Sequence, residues 1–344
     1  MMPDQLIYAM EVMLNGLMAG VMYALVALGF VLIFKASGIF NFAQGVMALF
    51  AAMTLVGIQT GQVPFYHIIN AVFGTNIHYF GWELHSIIAI VLTVLVMIIL
   101  AWAVQRFIFS KLVGQEPIIL FMATIGLAYL LEGVADLMWG SEIKKLNVCL
   151  SEGTCLPQGI NLAIDEATFN IFGYGFFIDN LDITATIIAI VLVAALVVFS
   201  QYTKQGRAMR AVADDHQAAL SVGVSLNYIW ILVWSVAGFV ALVAGIMWGA
   251  KSGVQFSLSL IALKALPVLM LGGFTSIPGA IVGGLIIGVG EKLFEFFMSS
   301  SDLAGALFGF TMNATENWFA YVLALVFLVF RPQGLFGEKI IERV

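Results

Sequence analysis

Residues 86 to 107 read SIIAIVLTVLVMIILAWAVQRF, a run that carries no charge until Arg106. A helix needs roughly 20 predominantly apolar residues to cross the hydrocarbon of a bilayer, and this stretch supplies them. Similar runs occupy 12 to 34, 42 to 59, 118 to 139, 182 to 200, 229 to 250, 260 to 274, 278 to 297 and 318 to 330. With the first that makes nine candidate spans, their ends fixed to within several residues; 260 to 274 and 318 to 330 are short for a full crossing and are candidates for half-helices. The fold class expected is therefore all-α, a polytopic transmembrane helix bundle of about 8 to 10 spans, occupying residues 1 to 344 as a single domain.

Composition agrees. Of the 344 residues 62% are hydrophobic and 10% charged, and the mean hydropathy is +1.05, against roughly 45 to 50% apolar usage in soluble domains. The basic residues are scattered singly, so no basic patch exists and nucleic acid is not an expected partner; membrane lipid is. The stretch 64 to 80, PFYHIINAVFGTNIHYF, is aromatic but discontinuous in its apolar residues, and reads as an external interfacial segment.

Orientation follows from Lys and Arg in short loops. If Lys204, Arg207 and Arg210 face the cytoplasm, alternation places Lys35, Arg106, Lys111, Arg331, Lys339 and Arg343 there too, nine of the fourteen basic residues. Lys144, Lys145 and Lys251 then fall outside. The N-terminus is expected on the periplasmic side and the C-terminus in the cytoplasm. The absence of Lys or Arg before the first apolar run argues against a signal peptide, so Met1 to Gln5 are expected to stay. The external loop 140 to 181 holds both cysteines; an oxidising exterior permits a disulfide between Cys149 and Cys155, with two free thiols as the other reading. No metal site is implied, because the cysteines have no histidines nearby at ligand spacing.

Between two apolar runs lies one polar island, RAMRAVADDHQAALSVGVSLNYI, residues 207 to 229. On a helical wheel Met209, Val212, Ala213, Ala219 and Leu220 share a side with Gly223, while Arg207, Arg210, Asp214, Gln217 and Ser221 recur on the other. The loop 201 to 228 is thus expected to hold a short amphipathic helix at the cytoplasmic surface, with Arg210 and Asp214 spaced to pair. Its bland reading is a capped loop; its functional reading is a docking element for a cytoplasmic partner.

Polar groups that hydrocarbon would penalise mark a possible solute route. Glu132 and Lys264 are the deepest by these boundaries and Glu291 follows; a structural ion pair weighs equally for each, and Asp136, Lys292 and Glu295 read as pairs or snorkelling ends. In SGIFNFAQG, Ser37 and Gly38 break the apolar run, and Asn41 followed by Gln44 resembles a helix start. Its free N–H groups could face a cavity and suit a carboxylate, or belong to an ordinary capped turn. Gly16 with Gly20, Gly245 with Gly249, Gly279 with Gly283 and Gly284 with Gly288 are G-x-x-x-G pairs, a sign of tight helix packing with dimer contacts also open. There is no G-x-x-x-x-G-K-[ST] loop, so ATP chemistry is not expected on this chain.

QAALSVG, Gln217 to Gly223 with Ala218 and Ala219 at its centre, resembles the loop signature of ABC importer permeases. LIFKASGIFNFAQGVMALFAAM at 32 to 53, LGGFTSIPGAIVGGLIIG at 271 to 288 and RPQGLFG at 331 to 337 resemble the branched-chain amino acid permease family, in its shorter, H-type leucine, isoleucine and valine branch. The likeness runs from about residue 12 to 337. The sequence departs where many relatives carry Glu and it has Val46, where the loop signature starts with Gln217, and in longer external segments near 60 to 80 and 140 to 180.

The resemblance implies an ABC importer permease of the larger, type II-like class, with the island as coupling helix. The solute would be a branched-chain amino acid, urea, a short amide or an aromatic acid. It implies as partners a second homologous permease subunit, two cytoplasmic ATPase subunits that hold ATP and Mg, and a periplasmic substrate-binding protein. No cofactor and no catalytic residue is expected here. A channel or ion-coupled secondary transporter is the alternative, and a membrane-embedded enzyme ranks last, because four histidines and two cysteines supply no convincing nucleophile, metal cluster or acid and base pair.

Overall fold

The computed structural model describes residues 3–112, 114–151, 154–156, 168–171, 174–177, 179–214, 216–299 and 316–337. Its helices are α1 (Pro3–Ser37), α2 (Gln44–Gln59), α3 (Tyr66–Phe73), α4 (Ser86–Phe107), α5 (Pro117–Trp139), α6 (Asn180–Tyr202), α7 (Lys204–Asp214), α8 (His216–Ser221), α9 (Leu226–Ser252), α10 (Ile261–Gly272), α11 (Ile277–Ser299) and α12 (Glu316–Phe330). Among the described residues six stretches are long and apolar enough to cross a membrane: Tyr8–Ser37, Ser86–Lys111, Pro117–Trp139, Asn180–Tyr202, Leu226–Ser252 and Ile277–Met298. Gln44–Gln59, Phe256–Gly272 and Trp318–Phe330 are the shorter apolar helices. All nine expected runs are accounted for.

The loop after α5, read from the sequence only as polar and non-helical, holds two antiparallel hairpins among its described residues. β1 (Val148–Ser151) pairs with β2 (Thr154–Leu156), and β3 (Thr168–Ile171) with β4 (Tyr174–Phe177). Cys149 and Cys155 stand opposite one another in the first register and are joined by a disulfide.

Contacts divide the chain into two compact units: residues 1–31, 158–191 and 263–344 make one, and 32–157 with 192–262 make the other. The second unit is built around α2, whose residues from Gln44 to Gly57 are all buried and which packs against α4, α5 and α9. Small residues allow this: a Cβ on Gly245 of α9 would strike the Ala48 carbonyl of α2, and the ring of Trp139 lies where a Cβ on Gly57 would go. Phe109 and Trp234, both fully buried, stack with ring centres 4.9 Å apart.

In the first unit two of the G-x-x-x-G pairs meet. Gly16 and Gly20 of α1 face Gly284 and Gly288 of α11; a Cβ on Gly16 would sit 2.8 Å from Val289 Cα, and one on Gly284 only 2.8 Å from Ala24 Cβ. In lipid there is no hydrophobic force between helices, so such close backbone approach, with its dispersion contacts, is what joins them. Gly272 of α10 and Gly279 of α11 abut in the same manner. Between α11 and α12 the contact is aromatic instead, with Phe294 stacked on Phe319 at 4.2 Å and edge-on to Trp318 at 5.4 Å.

Candidate translocation and coupling elements

The first apolar segment is broken between α1 and α2, and the break is held by polar groups. α1 ends as Gly38 takes φ 68°, the left-handed conformation that lets its N–H close onto the Phe34 carbonyl at 2.8 Å. Asn41 then turns the chain back into helix. Its Oδ1 accepts from the Ala43 N–H at 3.2 Å and its Nδ2 donates to Gln44 Oε1 at 3.2 Å, while Gln44 Nε2 donates to the Ala237 carbonyl of α9 at 3.3 Å. Asn41 and Gln44 are 0% and 1% exposed, so the structure spends their side chains on the turn and on α9.

Sequence reading missed the residue that fastens this break to its neighbour. Thr124, buried on α5, accepts from the Phe42 N–H at 3.2 Å and points its hydroxyl at the carbonyls of Phe121 (2.8 Å) and Phe40 (3.1 Å). The available signal was a lone hydroxyl in an apolar helix. In hydrocarbon an open backbone group costs several kcal/mol, so an unwound segment at membrane depth needs such a partner. Val46, standing where many relatives are expected to carry Glu, is buried in α2.

The charges expected within or beside the spans differ in how far the chain covers them. Glu132 on α5 is half-buried, and so is Lys264 on α10. Lys264 Nζ lies 5.6 Å from the centre of the Tyr23 ring, a cation–π contact. Glu291, on α11 in the same unit as Lys264, is 1% exposed. Lys292 and Glu295 make the expected structural pair, at 3.0 Å.

Two of the sequence stretches quoted above converge. The N–H of Leu335 donates to the Leu271 carbonyl at 2.8 Å and that of Phe336 to Gly272 at 3.1 Å, so RPQGLFG caps the orphan carbonyls at the end of α10.

The polar island forms α7 and α8. Met209, Val212 and Ala219 are buried, Ala213 is half-buried, and Arg207 is exposed with Arg210 half-buried. Leu220 departs from the wheel, being 52% exposed, because it lies in the last turn, where the chain is already leaving for α9. Gly223 ends the helix at φ 89°, and Val224 N–H reaches back to the Ala219 carbonyl at 3.0 Å. The side chains of Asp214 and Gln217, and the residues Lys339 and Arg343, lie outside the described part of the structure.

At the opposite end of the second unit, α3 docks by the Phe65 N–H on the Met138 carbonyl at 3.0 Å. Beside it Lys144 Nζ donates to Gln62 Oε1 and, at 2.8 Å, to the Trp139 carbonyl. Burial pulls its ammonium down to about 8, against the opposing pull of Glu142. Tyr66, tucked under His67 and His78, has its phenol pushed above the ordinary value by burial first and then by Glu142, Tyr79 and Asp136. Among the described residues no group of three or more His, Cys, Asp or Glu comes together as a metal site.

A helical bundle with six candidate membrane spans among its described residues and a polar, amphipathic connection between two apolar helices has the makings of a transport subunit. The chain belongs to the family described as branched-chain amino acid transport system / permease component, whose model matches residues 12–330. It is thus a permease subunit of the ABC type and not itself an enzyme. Over 354 aligned residues it is 24% identical to the high-affinity branched-chain amino acid transport system permease protein LivH of Escherichia coli, with 100% of both chains covered. To BraD of Pseudomonas aeruginosa, which carries the same description, it is 26% identical over 352 residues, again with 100% of both covered. A partial likeness, 28% over 140 residues and 38% of each chain, extends to the fructose import permease protein FrcC of Rhizobium meliloti. No solved structure matches.

Proposed function

We propose that this chain, as a single transmembrane permease domain, moves branched-chain amino acids or a closely related small solute into the bacterial cytoplasm. Two ATPase subunits and a second, homologous permease subunit would complete the importer, and a periplasmic protein would deliver the solute. ATP and Mg belong to the ATPases. The observation that carries the reading is the α7–α8 segment, with apolar residues turned inward and Lys204, Gln205 and Arg207 exposed, in a chain of a permease family. Such a segment gives an ATPase something to grip without disturbing the membrane helices, so closure of the ATPases on ATP would be felt as a push on α7–α8 and passed to α6 and α9.

The substrate class is supported by the full-length likeness to LivH and BraD. Orientation rests on the nine basic residues counted above: α7–α8 and the C-terminus in the cytoplasm, the N-terminus and the disulfide-bonded hairpin in the periplasm. The route would pass the α1–α2 break, where discontinuous helices offer polar backbone at membrane depth, with Asn41 and Gln44 shaping the break and Glu132, Lys264 and Glu291 as charged groups near the route. The deciding experiment is uptake by proteoliposomes holding the assembled complex. Leucine, isoleucine and valine should enter only with ATP inside; uptake that survives loss of the ATPases and collapses with the proton gradient would make the chain a secondary transporter. A cysteine placed at Ser225 should react only after the membrane is opened.

A further inference from the structure

At the end of α4, against the start of α9, lies a cavity of about 310 Å³ lined by Trp102, Gln105, Arg106, Ser110, Asn227 and Ile231. One feature of it has no explanation among the described residues. Gln105 is 1% exposed, yet neither its Oε1 nor its Nε2 has a hydrogen-bond partner among them. A buried primary amide left with both ends open is costly, and in folded proteins such groups are satisfied by something.

The chemistry of the lining says what that something is. Among the described residues it offers one cation, Arg106, and no acid, together with a second amide, Asn227, in the first turn of α9, where the helix N–H groups have no intrahelical partner. Ser110 already donates its hydroxyl to the Arg106 carbonyl, at 2.6 Å. An anionic group therefore fits, and Gln105 asks in addition for a hydroxyl to bond its Oε1. The surroundings supply the remaining clue. Ile88, Val91, Leu95, Ile98, Ile99 and Trp102 form an exposed stripe along α4, each at least 41% exposed, and Arg106 follows Trp102 by one turn on the same face. An apolar stripe that ends in a tryptophan, a cation and a polar cavity has the layout of a lipid site, with acyl chains along the stripe and a headgroup at its end.

We propose that this cavity holds the headgroup of an anionic phospholipid of the phosphatidylglycerol kind, its phosphate on Arg106, Asn227 and Gln105 Nε2 and a headgroup hydroxyl on Gln105 Oε1. The proposal rests on the membrane reading above, which sets the end of α4 at the cytoplasmic surface. It predicts that the intact complex, purified and transferred to nanodiscs of mixed phosphatidylglycerol and phosphatidylcholine, retains the former selectively when examined by native mass spectrometry. Arg106→Gln should lower that selectivity about fivefold, the loss expected for one basic contact at a membrane surface.

Gln105→Leu should lower it as well. If Gln105→Leu merely raises thermal stability and leaves lipid selectivity intact, the amide is a packing defect and the proposal is wrong. Displacement of the retained lipid by inorganic phosphate would make this a site for free phosphate. With Trp102 replaced by p-benzoylphenylalanine, crosslinking to lipid is expected, and crosslinking to a polypeptide instead would assign the cavity to a partner subunit. Substrate uptake measured on the same preparations separates the two readings, since uptake that persists without lipid selectivity overturns the lipid site alone.

Discussion

Each of the two compact units is held together internally by its own means. Where α1 meets α11, backbone lies against backbone: Gly16, Gly20, Gly284 and Gly288 leave no room for a side chain. Around α2 glycines also allow close approach, but the contact is fixed in addition by Asn41, Gln44 and Thr124, each bonded to a backbone group. Both solve one problem, that lipid tails are as apolar as leucine and give helices no reason to associate. The glycine contact does so by proximity and is intolerant of added volume. The polar contact does so by satisfying an unwound backbone, so it permits a break in the helix that close packing alone would not.

The contrast can be broken by substitution. Gly284→Leu is expected to be the most damaging change, because a side chain would meet the Ala24 and Gly20 backbone with nothing flexible to yield; folded, monodisperse protein should fall by about tenfold or more, as read by fluorescence-detected size exclusion. A normal yield would mean that α1 and α11 can part without unfolding the unit. Next comes the surface island, where fold and function should separate. Gly223→Leu meets no atom but is strained at φ 89°, by about 1 to 2 kcal/mol. It and the double change Arg210→Ala with Asp214→Ala should leave expression and melting near normal while abolishing substrate-stimulated ATP hydrolysis by the reconstituted complex. Parental, substrate-responsive hydrolysis in both would reduce α7–α8 to a connecting loop.

Thr124→Val tests the polar contact directly. It keeps the shape and removes the hydroxyl, leaving the Phe42 N–H only the Phe40 carbonyl two residues back, at 3.1 Å, at a cost of about 1 kcal/mol, visible as a lower melting temperature with the glycine contact intact. An unchanged melting temperature would show that the break is secured elsewhere. The smallest effect concerns Lys144, whose ammonium is disfavoured in the fold. Its folded value of about 8 lies below its ordinary 10.5, so between those limits the unfolded chain binds more protons and stability should rise with pH. Melting curves of the wild type and Lys144→Met should therefore diverge from pH 8 upward, the wild type gaining; parallel curves would place the amine in water.

The disulfide-bonded hairpin and the break after Ser37 show how far local reading goes. Ser37, Gly38, Asn41 and Gln44 are close in sequence and act on one another, so the turn was visible in the string. Thr124 lies 82 residues from the Phe42 N–H it serves, and no local pattern links them. The same holds for Gln105, a single amide in α4 whose importance comes from having α9 beside it. Leu220 was put on the buried side because a wheel assumes the helix goes on, and Gly223 stops it. Glu132 and Glu291 both lie in apolar runs, but distance from the end of a run measures depth along a helix, not which side its neighbours cover, so the 1% exposure of Glu291 is not legible in the sequence.

The sequence by itself determined that this chain is a membrane protein, where its helices run, and to which family of permeases it belongs, because each of these follows from the length of apolar runs and from short motifs read along one strand of chain. It also held the glycine pairs, though not their partners. Only the tertiary structure decided that Gly16 and Gly20 answer to Gly284 and Gly288, that RPQGLFG closes the end of α10, and that Thr124 fastens the broken helix. In hydrocarbon every backbone group and every small-residue contact must be matched by something nearby in space, and that match is a property of packing between residues far apart in the chain.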